Sequence, residues 1–152
     1  MLRMALVMWA FAQAGKPNPS TSEDASSAAL QRGDYQQVLT LAAQGLAIAP
    51  NDAWLLYDRG AALASLGRLD EAVTELARAE ATFPADQPWG RAVSSYRRGL
   101  ALARLGRCGE AQLAIAHYTT LMREMDCDVA ADAARGVAQC ERQNVSGRQR
   151  EQ

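Results

Sequence analysis

The sequence predicts an all-α fold of stacked helical hairpins, and three observations predict it. Alanine supplies 31 of 152 residues, with many Leu, Arg, Glu and Gln but only 6% aromatics, which favours closely packed helices over strands. Beyond residue 28, apolar residues recur at helical spacing in segments of roughly 12 to 16 residues, each ended by a Gly-centred or Pro-centred breaker. The breakers are themselves periodic, since Gly33 and Gly67 lie 34 residues apart, as do Pro50 and Pro84. A fixed spacing of this size marks a repeat array, and the length suits one domain.

The chain opens with Met1-Leu2-Arg3, runs through apolar Met4 to Phe11 and ends this stretch in Ala12-Gln13-Ala14. A basic start, a short apolar run and an Ala-x-Ala site before Gly15 match a signal peptide over residues 1–14. The run is shorter than the ~20 residues that span a bilayer. No cysteine follows the small residues, which argues against a lipid anchor, and apolar side chains on all sides argue against an ordinary amphipathic helix. The expected location is therefore periplasmic or secreted, with the cytoplasm as the alternative. Residues 15–27, with Pro17, Pro19 and several Ser and Thr, carry no apolar period and are expected to form a flexible linker.

The next segments share one turn. Gly33-Asp34-Tyr35-Gln36-Gln37-Val38, Gly67-Arg68-Leu69-Asp70-Glu71-Ala72 and Gly106-Arg107-Cys108-Gly109-Glu110-Ala111 each join two antiparallel helices. Here the chain resembles the tetratricopeptide-repeat (TPR) family, whose unit is a 34-residue helical hairpin with small residues at its crossing points. The resemblance implies a right-handed superhelix of such hairpins, a TPR-like α-solenoid. Residues 53–86 fit best, with Gly60, Leu63, Gly67, Ala72, Leu76, Ala79 and Pro84 at the family's signature positions. Gly60 and Ala72 let the two helices approach, and Pro84 stops the second one.

Residues 28–52 form a degenerate first unit, with a short leading helix and Val38 in place of the family's small residue. The third unit, residues 92–126, repeats Arg59-Gly60 as Arg98-Gly99, but 39 residues on. The extra residues are assigned to a longer loop between Phe83 and Gly90. Asp126-Cys127-Asp128 marks the next boundary, with aspartate as a favourable N-cap. A capping helix over residues 128–142 follows, its Arg135-Gly136 echoing the earlier dipeptides, as the end of such an array requires. Residues 143–152 are polar and expected to be disordered.

Three cysteines allow at most one internal bridge. Cys127 and Cys140 begin and end one predicted helix, about 20 Å apart at the helical rise. In the resembled architecture the capping helix stacks beside the third turn, which makes Cys108 and Cys140 the natural pair in an oxidising compartment. The alternative is three buried thiols acting as small apolar residues.

Sixteen basic against seventeen acidic residues give a net charge of −1, so no summed field favours nucleic acid or an anionic membrane. His117 is the sole histidine, and no phosphate-binding loop, nucleophile elbow, zinc motif or Cys-x-x-Cys pair accompanies it. No catalytic residue, metal or cofactor is expected. Asp70, Glu71 and Glu110 open second helices, where negative charge complements the helix dipole.

The resemblance implies that leading helices line a concave groove and bind a peptide or protein partner. The residues carried over to that groove are Trp54, Tyr57, Tyr96, Leu100, Arg104 and Gln31, and aromatic and arginine side chains make good anchors. Packing between hairpins is the competing role for Trp54 and Tyr96. The chaperone-binding branch of the family grips a terminal carboxylate with Lys and Asn, and neither type stands on these faces. The expected function is a non-enzymatic interaction scaffold, with homo-oligomerisation through exposed end faces an option. A structural subunit of an envelope assembly is the alternative. A small hydrolase or redox protein using His117 or a free cysteine ranks below both.

Overall fold

The computed structural model describes residues 19–129 and 131–150, and these residues hold seven helices and no strand. They are α1 (Pro19–Arg32), α2 (Tyr35–Ile48), α3 (Ala53–Ser65), α4 (Leu69–Thr82), α5 (Pro88–Arg104), α6 (Cys108–Glu124) and α7 (Ala131–Arg150). The leader expected over residues 1–14 lies outside the described residues. No described helix is long and apolar enough to cross a membrane.

Each hairpin closes on the same local device. Gly33, Gly67 and Gly106 take φ of +77°, +79° and +75°, a left-handed conformation that costs a side-chain-free residue little. The following amide then donates to a carbonyl five residues back: Asp34 to Ala29, Arg68 to Leu63 and Arg107 to Leu102, at 2.9–3.0 Å. This is the Schellman closure of a helix end. A fourth copy ends α6 without glycine, for Asp126 takes φ 54° and the Cys127 amide donates to the Met122 carbonyl at 2.9 Å. The second helices then start differently. Asp34 caps α2 by accepting from the Gln37 amide, whereas Arg68 and Arg107 each fold a bidentate fork onto Glu71 and Glu110.

Three boundaries differ from those expected. The residues expected as linker are helical from Pro19, because Ser22, Ser26 and Ala29 form a buried stripe at helical spacing. Small, mostly polar residues carry that period in place of apolar ones, and proline suits a helix start. The extra residues of the third unit lengthen a helix, since α5 has 17 residues where α3 has 13, while the preceding loop is only residues 83–87. Finally, α7 begins at Ala131 and continues through Arg150 rather than ending at Arg142. No proline interrupts that stretch, and its Gln and Arg residues are good helix formers even without an apolar face.

The helices stack in two rows. In the inner row α1, α3, α5 and α7 pack one after another, while the backbones of α2, α4 and α6 stand further apart in an outer row, where α4 and α6 meet only through side chains such as Glu80 and His117. Hairpins close tightly where glycine removes a side chain. A Cβ on Gly60 would lie 2.7 Å from Leu76 Cγ and 3.2 Å from the Leu76 amide nitrogen. One on Gly99 would lie 2.6 Å from Ile115 Cδ1. The largest core cluster joins Leu102, Ile115, Tyr118, Leu121, Met122 and Val137, and thereby seats α7 on α5 and α6. Cys108 and Cys140 form a disulfide with Cα atoms 5.7 Å apart, which staples α7 to the start of α6. Cys127 is an exposed free thiol, not a buried one.

Two stability measurements follow from this packing. Gly60→Ala is expected to lower the free energy of unfolding by about 1–2 kcal/mol despite alanine's better helix propensity. Gly109→Ala, with nothing within 4 Å of the new methyl, is expected to leave it unchanged or raise it in the same urea titration. Reducing the disulfide is expected to remove about 3 kcal/mol, read as a fall in Tm of roughly 10 °C.

Candidate protein-interaction face

Inner-row helices present their free sides to one surface. Trp54 stands on α3 with its ring edge-on to Phe83 at 4.8 Å and to Tyr57 at 5.8 Å. Trp54 and Tyr57 are half-buried, fixed below by the buried Phe83, Leu46, Leu55 and Leu56. Arg97 of α5 reaches across to Tyr57, its Nε donating to the phenol oxygen at 2.7 Å and its guanidinium carbon 5.5 Å from the ring centre. An aromatic pair with a cation held beside it is the part of this face best suited to anchor a partner side chain.

The other expected residues divide between surface and core. Tyr96 turns toward Tyr118, with ring centres 5.1 Å apart, and packs against the α5–α6–α7 core. Leu100 and Arg104 line a cleft of about 540 Å³ between α5 and α7, with Gly136 and Gln139 opposite. Arg104 is already engaged, because its Nη1 donates to the Ala64 carbonyl at 2.8 Å. That carbonyl, near the end of α3, also accepts from the Gly67 amide at 3.2 Å, and the added bond from Arg104 ties successive inner helices together. Gln31 is exposed near the end of α1. The six residues therefore form no single site: Trp54 and Tyr57 make one group, and Leu100 and Arg104 another.

Sequence reasoning missed three participants. Arg97 was hidden among four arginines of one helix, and only the fold shows that it reaches Tyr57. Asp58 is 3% exposed. Its place three residues after Leu55 and four before Ala62 puts it in a buried stripe, a signal the sequence did contain. Burial pushes its carboxyl up to about 6, aided by Glu23 and Asp52 and opposed by Ser26 and Arg97. The third is Glu80, at the centre of a polar network.

Glu80 joins three helices. Its Oε2 accepts from Arg98 Nε at 3.0 Å and Nη2 at 2.8 Å, and its Oε1 lies 2.6 Å from His117 Nδ1. Ser95, fully buried, donates to the Ala114 carbonyl at 3.0 Å, with His117 Nδ1 3.4 Å away. Serine, histidine and carboxylate thus meet: Ser95 Oγ also lies 3.3 Å from Glu80 Oε1, and the imidazole nitrogen nearest the serine is the one that faces the carboxylate. The cluster braces α4, α5 and α6.

Residues 29–96 match the family model described as "Tetratricopeptide repeat". Among solved structures the chain is similar to the Sgt2 TPR domain from Aspergillus fumigatus, at 22% identity and a TM-score of 0.68. The match covers 88% of this chain and 83% of that one. No curated protein matches. The fold is an all-α solenoid of helical hairpins. Residues 29–96 thus carry the tetratricopeptide repeat, and the described helices share the fold of a solved tetratricopeptide-repeat domain.

Glu80→Ala leaves Arg98 and His117 without their shared carboxylate and is expected to cost about 2 kcal/mol in chemical denaturation. Glu71→Ala, whose surface pair with Arg68 is open to water, is expected to produce a far smaller change.

Proposed function

We propose that the chain is a non-enzymatic scaffold that holds a peptide or protein partner on its inner face. The observation that carries this is the Trp54–Tyr57–Arg97 group, half-buried on adjoining inner helices and built from the residue types that dominate binding energy. Leu100 and the aliphatic stem of Arg104 extend the surface toward α7. An extracytoplasmic location is supported by the apolar leader of residues 1–14 and by the Cys108–Cys140 bridge, which an oxidising compartment maintains. A second reading, permanent packing into an assembly through the outer row, rests on Leu113, which is 73% exposed on α6.

Photo-crosslinking in the native host separates the two. A benzophenone side chain at Gln31 or Ser65, both exposed on inner helices, is expected to capture one partner, and Tyr57→Ala to weaken that capture about tenfold or more. Capture only from position 113 overturns inner-face binding in favour of outer-row packing.

A further inference from the structure

The first helix is held unlike any other. Its buried stripe is Ser22, Ser26 and Ala29, with no large apolar side chain fully enclosed. Against it lie Leu55, Asp58 and Ala62 of α3, and Gly45 of α2, whose missing side chain makes room for Ser22 and Leu55. Among the described residues, the buried side-chain polar atoms without a hydrogen-bond partner are Ser26 Oγ and Asp58 Oδ2. Both belong to the α1–α3 contact. Ser26 is close enough to favour the charged form of Asp58 somewhat, but neither orphaned atom completes a hydrogen bond.

An ionised carboxylate here is buried and incompletely solvated, which is unfavourable. Protonation removes the charge and supplies an O–H that Ser26 Oγ can accept, leaving the serine hydroxyl free to turn to its own helix. We propose that Asp58 is a proton-operated latch for α1: neutral Asp58 lets α1 lie on α3, and ionised Asp58 loosens α1 from the rest of the solenoid.

The surrounding charges reinforce this. From α1 the carboxyl is faced by Glu23, itself pushed upward by burial and by Asp52 and Asp24. Asp52, the N-cap of α3, adds further negative charge, and Arg97 of α5 is the cation that opposes it. α2 carries no acidic or basic side chain, and on α4 Glu75 is paired with Arg59 and Arg78. The docked carboxyl sits at about 6 against an ordinary 3.8, so docking takes up a proton. Docking is tightest below pH 3.8, weakens as pH rises toward 6 and is constant above. A shift of that size corresponds to about a hundredfold change in the docking equilibrium. Opening removes the first inner helix and bares Asp58 on α3, so acid closes this end of the inner face and neutral pH opens it.

Hydrogen–deuterium exchange on the full chain tests the latch. Protection factors for α1 amides, corrected for intrinsic exchange, are expected to fall about a hundredfold from pH 4 to 7.5, while those of α4–α6 hold. Asp58→Asn is expected to keep α1 protected at both values, and Glu23→Gln to retain most of the dependence. Equal α1 protection at the two pH values in the wild type overturns the proposal. So does an equal loss across α4–α6, which reports global unfolding, or a dependence abolished by Glu23→Gln alone. The wild-type comparison stands even where Asp58→Asn fails to fold.

Discussion

The close crossing within each hairpin governs the rest of this structure. Leu76 and Ile115 occupy the space that side chains on Gly60 and Gly99 would need, so α3 lies hard against α4, and α5 against α6. Because interiors are packed to crystal-like density, such contacts fix distance and angle together. With two hairpins set to one geometry, the leading helices stack in a row and the second helices splay behind them. The inner face exists because that row is continuous. Arg104, bonded to the end of α3, and Arg97, laid on Tyr57, span neighbouring helices only because the spacing is held.

Repetition of the sequence does not produce repetition of the polar contacts. Arg59 and Arg98 precede equivalent glycines, yet Arg59 pairs with Glu75 inside its own hairpin and Arg98 with Glu80 of the hairpin before. The reason is local: 39 residues after Glu75 the chain offers Ala114, so the second arginine turns its fork to Glu80 instead. That exchange builds the Glu80–His117–Ser95 brace and binds the second and third units to each other. Half-buried, multiply bonded pairs of this kind contribute more than the surface forks at Arg68 and Arg107.

The two ends are secured by different means. α7 shares an apolar cluster with α5 and α6 and is stapled by Cys108–Cys140. α1 rests on serines and an alanine above a carboxylate that burial disfavours. Stability therefore grades along the solenoid, as nearest-neighbour packing allows in repeat architectures, and the end with least apolar burial is the one that proton uptake can tune.

The sequence by itself determined the all-α class, the hairpin repeat and its turns, because glycine at a left-handed cap and a 34-residue period are local signals. It also grouped Trp54 and Tyr57 on one side of α3, where their rings meet, since residues three apart on a helix are neighbours. Local patterning was weaker at the margins. The serine stripe of α1 has the composition of a linker, the extension of α5 that of a loop and the end of α7 that of a tail, because side-chain polarity alone does not distinguish a buried or helical segment from an exposed one. Only the tertiary structure decided that Tyr96 serves the core, that Arg104 braces α3, and that Asp58, Glu80 and His117 matter at all. Those roles depend on which side chains arrive from other helices, and burial and hydrogen-bond partners are properties of that assembly, absent from any one segment of chain.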